Sequence, residues 1–183
     1  QVEIEGEQCR FKLIGLPKEE YPKFPEFKDK EAIQIKQADL KEMLRLTVFA
    51  VSHEESRYVL NGLLVEVNGD ILRIVATDGR RLAKIERKLL HPSNKDVSVI
   101  LPVKAVQEIS RNLKDEGDVT FITGTNQVLF DIDGTLIATR IIEGEFPNYR
   151  QVIPKEIPNK VKINREDLLF AIRRANLLST PDF

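Results

Sequence analysis

Ile33-Gln34-Ile35-Lys36-Gln37-Ala38-Asp39-Leu40-Lys41-Glu42-Met43-Leu44-Arg45 is echoed later in the chain by Val161-Lys162-Ile163-Asn164-Arg165-Glu166-Asp167-Leu168-Leu169-Phe170-Ala171-Ile172-Arg173, at an offset of 128 residues (position 161 against position 33). The same offset lays Val2-Glu3-Ile4-Glu5-Gly6 over Phe130-Asp131-Ile132-Asp133-Gly134, and Glu20-Tyr21-Pro22 resembles Glu145-Phe146-Pro147 at an offset of 125. Separate matches at nearly one spacing mark an internal repeat, and a repeat governs how every other motif is read. It predicts the tail of one unit over residues 1–30, a complete unit over 31–155 and the head of a third over 156–183, so the chain reads as a piece of something longer. A weaker half-period of 66 lies inside the complete unit, where Ile33-x-Ile35 with Leu40, Glu42, Met43 and Arg45 recurs as Val99-x-Leu101 with Val106, Glu108, Ile109 and Arg111.

Each half reads as one strand, one helix and a meander, a βαβββ pattern. Leu40, Met43, Leu44 and Val48 fall at helical spacing and predict a helix from Gln37 to about Val51, with Asp39 in the first turn favoured by the helix dipole. Strands are predicted at Leu63–Val67, Ile71–Ala76 and Leu82–Ile85, separated by Asn61-Gly62, Asn68-Gly69 and Asp78-Gly79. Such pairs tolerate the positive φ of tight hairpin turns. Pro102 is placed to start a second helix running to about Leu113, and three more strands follow near Val119–Thr123, Gln127–Ile132 and Thr135–Ile142. The fold class is α+β, with antiparallel sheet and two helices per unit on one face.

Of the 183 residues, 42% are hydrophobic, enough to build a core and to argue against disorder. A formal net charge of −1 leaves no global attraction to nucleic acid or anionic membrane, so any such attraction is local. No apolar run approaches the ~20 residues of a spanning helix, and Gln1-Val2-Glu3-Ile4-Glu5 does not resemble a signal segment; a cytoplasmic location is expected. One cysteine, Cys9, and two histidines, His53 and His91, cannot supply the four ligands of a closed zinc site. No metal or cofactor is expected, Cys9 reads as an inert strand residue, and both histidines read as surface residues.

Val128-Leu129-Phe130-Asp131-Ile132-Asp133-Gly134-Thr135-Leu136-Ile137 resembles the first motif of haloacid-dehalogenase-like phosphohydrolases. There the residue matching Asp131 would attack phosphorus, and the one matching Asp133 would serve as acid and base. The chain argues against this chemistry. Only 50 residues follow Asp133, with no paired aspartates among them, and the repeat equates Asp131 with Glu3. A β-hairpin with an Asp-Gly turn is the favoured reading, and no catalytic residue is expected.

Arg57-Tyr58-Val59-Leu60-Asn61-Gly62, Val75-Ala76-Thr77-Asp78-Gly79-Arg80-Arg81-Leu82-Ala83 and Gly144-Glu145-Phe146-Pro147-Asn148-Tyr149-Arg150-Gln151-Val152-Ile153-Pro154 together resemble the β subunit of bacterial DNA polymerase III, the replicative sliding clamp. The order and spacing match over the whole chain: the last strands of the first domain, the middle domain, and the opening strand and helix of the third. The resemblance implies a DNA-clamp fold, a head-to-tail homodimer of three-domain chains closed around duplex DNA, and a processivity factor with no catalytic activity. Implied partners are double-stranded DNA, the polymerase III catalytic subunit, the clamp loader and repair proteins or other polymerases carrying a clamp-binding motif. Helices lining the ring should hold phosphates by charge without reading sequence. The candidates are Lys41, Arg45, Lys104, Arg111, Lys114, Arg173 and Arg174, with Tyr58 at the DNA-facing edge. A peptide-docking groove is implied at Leu60, Thr77, Gly79, Arg80, Arg81, Leu82, Pro147 and Val152, where apolar side chains receive anchors while Thr77 and Arg81 fix polar groups.

Overall fold

The computed structural model describes residues 2–20 and 32–177. Contacts divide the chain into two units, residues 1–147 and 148–183. The first begins with a hairpin, β1 (Val2–Gly6) and β2 (Cys9–Leu13), in register from Val2–Leu13 to Gly6–Cys9. Glu3 bridges Arg10 and Lys12 across it at 2.8 and 3.0 Å. Cys9 is a free, exposed thiol on this hairpin. Tyr21 and Pro22, part of the repeat, lie outside the described residues.

From residue 32 the order is β3 (Ala32–Lys36), α1 (Gln37–Arg45), β4 (Gly62–Asn68), β5 (Ile71–Thr77), β6 (Leu82–Lys88), β7 (Val97–Pro102), α2 (Val103–Asn112), β8 (Asp118–Thr123), β9 (Gln127–Ile132) and β10 (Thr135–Arg140). The strand–helix–meander pattern therefore occurs twice, as the half-period predicts. What the half-period does not reveal is that the halves exchange their first strands. One sheet runs β10-β9-β8-β3 and the other β6-β5-β4-β7, so each meander is completed by the leading strand of the opposite half, all pairings being antiparallel. Neither half can close its sheet alone, and this welds the pair into one folding unit.

Both sheets and both helices share one core. Leu40, Met43 and Leu44 face inward from α1, Val106 and Ile109 from α2, and Phe121 stacks on Phe130 with centroids 5.6 Å apart. On the outer face of the second sheet, Arg73 joins Glu66 at 3.2 Å and Glu86 at 2.6 Å across three strands. Gln37 is fully buried at the seam between the halves. Its Nε2 donates to the Asp118 carbonyl and to Asp133 Oδ1 at 3.2 and 3.0 Å, and its Oε1 accepts the Lys114 amide at 2.9 Å.

The structure corrects several local expectations. α1 stops at Arg45, not near Val51, because the Thr47 hydroxyl donates back to the Met43 and Leu44 carbonyls; a separate 3₁₀ turn, Val48–Ala50, follows. Asn61-Gly62 is no hairpin turn: Gly62 opens β4, where a Cβ would lie 2.5 Å from the Leu101 carbonyl, so only glycine admits β7 this closely. The β4–β5 turn is centred on Gly69-Asp70, one residue later than Asn68-Gly69, since the register pairs Asn68 with Ile71 and only Gly69 takes a positive φ. Ile141 and Ile142 fall beyond β10, with Ile142 bridging Ile100 instead.

In the second unit α3 (Arg165–Asn176) starts 128 residues after α1, as the repeat requires, capped by Asn164 Oδ1 on the Glu166 and Asp167 amides. The strand expected at Val161–Ile163 is absent, and both residues are exposed. Its counterpart β3 is held by β8, from the far half of its own repeat, and the described residues of the second unit offer no such partner.

Candidate peptide groove and cationic helix faces

The loop joining β5 to β6 is built by two short side chains. Asp78 Oδ1 accepts the Arg80 and Arg81 amides at 2.9 and 3.0 Å, and Asp78 Oδ2 accepts Arg81 Nε at 3.0 Å. The Arg81 and Arg80 amides, aided by the guanidinium, hold the Asp78 carboxyl below the usual carboxylate range. Thr77 Oγ1 donates to the Arg81 carbonyl at 2.7 Å and accepts the Gly79 amide at 3.0 Å, so its hydroxyl proton is committed to bracing the loop. Gly79 has φ +88°, and a Cβ there would stand 2.8 Å from an Arg57 guanidinium nitrogen. The loop is thus a rigid platform that leaves Arg80 and Arg81 exposed.

Leu60, which ends the 3₁₀ segment Glu55–Leu60, is buried outside the main core cluster, and Leu82 opens β6 half-buried. Pro147 is exposed at the end of the first unit. Val152 belongs to the second unit and is 69% exposed, the exposure of a surface residue and not of the core. Leu60, Thr77, Gly79, Arg80, Arg81 and Leu82 all belong to the segment bounded by Glu55 and β6.

Sequence reasoning missed two residues here. Phe49 is 57% exposed with the Arg81 guanidinium 5.7 Å from its ring centroid; the helical spacing that runs to about Val51 conceals it in the sequence. Arg57 donates to the Asp78 carbonyl at 3.4 Å and pairs with Glu54 at 3.6 Å, linking the Glu55–Leu60 segment to the platform. The half-period held a signal for this region: the link from helix to meander is Leu46–Asn61 in the first half but only Leu113–Gly117 in the second. Phe49, Arg57, Tyr58 and Leu60 all lie on that longer link.

The helix cations divide into two groups. Lys41 pairs with Asp115 at 2.7 Å, Arg111 with Glu108 at 2.6 Å and Lys114 with Asp133 at 2.9 Å. Arg45 and Lys104 have no carboxylate partner among the described residues, and Arg173 and Arg174 are exposed on α3. Tyr58 is 58% exposed, its hydroxyl near Gly144.

Asp131 and Asp133 are structural. Asp131 Oδ1 accepts the Gly134 amide at 2.9 Å, and Asp133-Gly134 form the two-residue β9–β10 turn with φ 51° and 83°. Lys114 and then Gln37 hold the Asp133 carboxyl below its ordinary value. Among the described residues no group of three or more His, Cys, Asp or Glu side chains could hold a metal ion, and no helix is long and apolar enough to cross a membrane.

Comparison with known proteins agrees with this architecture. The beta sliding clamp of Chlamydia pneumoniae is 36% identical over 95% of this chain and 47% of its own length, and that of Bacillus subtilis (strain 168) is 36% identical over 96% and 47%. The chain thus spans about half the length of these curated relatives. A crystal structure of the DNA polymerase sliding clamp from Bacillus subtilis superposes with a TM-score of 0.87 at 35% identity, covering 98% of this chain and 47% of that one. A Pseudomonas aeruginosa sliding clamp bound to griselimycin gives 0.83 at 32% identity, covering 97% and 48%. Residues 34–148 match the family model of the DNA polymerase III beta subunit, central domain. With the exchanged-strand sheets, the paired helices and this match together, the chain belongs to the DNA polymerase III beta-subunit family of sliding clamps.

Proposed function

We propose that this chain serves as the central part of a DNA sliding clamp: a non-enzymatic processivity factor that encircles duplex DNA and tethers polymerase III, the clamp loader and repair proteins. Residues 31–155 act as the middle domain, with 1–30 and 156–183 belonging to its neighbours in a three-domain chain that closes head to tail as a homodimer. The work is done in the cytoplasm. The observation that carries this reading is the braced Thr77–Leu82 platform, tied through Arg57 to the 3₁₀ segment that ends in Leu60, within residues that match the clamp central domain. A preformed loop offers cationic donors next to apolar side chains, which suits a short extended peptide. Pro147 and Val152 enter the groove on the strength of the resemblance, with the exposure of both in support. Exposed Arg45 and Lys104 supply weak, sequence-independent phosphate contacts that let a ring slide, and Lys41, Arg111, Lys114, Arg173, Arg174 and Tyr58 complete the DNA-facing set.

The test is a titration of a Gln-Leu-x-Leu-Phe-type peptide into labelled protein, with griselimycin as a second probe and backbone amide shifts as the readout. Shifts clustered at Leu60, Thr77, Arg81, Leu82 and Val152 are expected. Saturable binding of either probe with shifts confined to other surfaces would refute the groove assignment.

A further inference from the structure

Arg81 is held more firmly than an exposed arginine needs to be. Asp78 grips its amide at 3.0 Å and its Nε at 3.0 Å, the Thr77 hydroxyl grips its carbonyl at 2.7 Å, and the Phe49 ring lies under its guanidinium at 5.7 Å. Its two terminal nitrogens, by contrast, have no partner among the described residues. Phe49 is equally uneven: its neighbours Thr47 and Ala50 are fully buried, while its ring is 57% exposed. The 3₁₀ turn Val48–Ala50 packs against β5, so the ring comes from an anchored segment.

We propose that Phe49 and Arg81 form one recognition unit, in which the ring fixes the guanidinium so that its free N–H donors meet an acceptor oxygen of an extended peptide, while the exposed ring flank contacts an apolar side chain of the same peptide. This rests on the peptide-groove reading above and adds Phe49 as its positioning residue. A guanidinium over an aromatic face is held by the ring quadrupole without consuming its in-plane N–H donors. Holding it before binding removes an ordering cost that would otherwise weaken the complex. The occupant must combine acceptor and apolar groups because the surface does so in reverse, with donors and an aromatic flank side by side.

The experiment uses the 183-residue chain with Phe49→Leu and Phe49→Tyr, each also in an Arg81→Gln background. Phe49 is largely exposed, so both substitutions leave the core intact. Without peptide, ¹⁵N relaxation of the Arg81 Nε–H reports whether the ring restrains the guanidinium; Phe49→Leu should loosen it and Phe49→Tyr should not. With the Gln-Leu-x-Leu-Phe-type peptide, Phe49→Leu should weaken binding about two- to fivefold, the weight of one exposed cation–π contact, and Phe49→Tyr should restore it. In the Arg81→Gln background the Phe49→Leu loss should shrink, because only the ring's direct apolar contact remains to be lost. An unchanged Arg81 Nε–H in Phe49→Leu, or an equal loss in both backgrounds, overturns the proposal. Failure of the wild-type chain to bind peptide, with the Nε–H coupling intact, sinks the groove reading and with it the recognition role, while leaving the ring–guanidinium contact established.

Discussion

Replacing Gln37 by Met tests whether the two halves are joined as described. Met is unbranched and of similar length, so the buried space stays filled while all three hydrogen bonds of the amide are lost. The Lys114 amide and the Asp118 carbonyl lose partners at the seam, whereas Asp133 keeps Lys114 Nζ at 2.9 Å and is half in water. At about 1 kcal/mol for each bond to backbone, and less for the solvated carboxylate, the substitution should cost about 2 to 3 kcal/mol. Urea unfolding at neutral pH, followed through the amide signals of β3 and β8, should show a lower midpoint with an unchanged slope. Those strands are paired partners from opposite halves, so they report the seam directly. A loss below about 0.5 kcal/mol, less than the smallest ordinary net hydrogen bond doubled, would refute the assignment of Gln37 as the tie between halves.

Other perturbations have equally definite outcomes. Asp133 has a folded pKa below its ordinary 3.8, so its contribution to stability is complete above that value and is lost as pH falls through the lower folded value; Asp133→Asn should remove this share of the acid sensitivity in urea midpoints measured between about pH 2 and 5. An Asp133 carboxyl carbon that titrates at or above the ordinary value by NMR would contradict the pairing. Gly62→Ala places a Cβ 2.5 Å from the Leu101 carbonyl and 2.8 Å from Ile100, and should cost about 2 to 3 kcal/mol by forcing β4 from β7, with amide exchange rising first at those strands. Under the proposed DNA-facing role, binding of a short DNA duplex should lose about one unit of its log–log salt slope on Arg45→Gln or Lys104→Gln. Arg111→Gln should change it less, because Glu108 already neutralises that charge; equal effects at all three sites would show that the ion pairs open on binding.

The sequence by itself determined the elements and their repetition. Alternating apolar runs around Asn68-Gly69 and Asp133-Gly134, and the 3.6-residue spacing of Leu40, Met43, Leu44 and of Val106 and Ile109, are local signals, because hairpins and helix faces are set by neighbours in the chain. The 128-residue repeat likewise placed the start of α3 at Arg165, since a helix start needs only its own capping residues. Strand pairing was decided elsewhere. That β3 completes the opposite half's sheet, and that Val161–Ile163 forms no strand, depends on which partner edge is available, and no local pattern encodes a partner some eighty residues away. The site divided in the same way. Thr77 to Leu82 were legible as a turn between strands, but the helix periodicity carried Phe49 past the true end of α1, where the Thr47 hydroxyl turns the chain. Only the folded chain brings Arg81 over that ring and sorts paired cations from free ones, because ion pairs and ring contacts are made between segments that meet only once the core has closed.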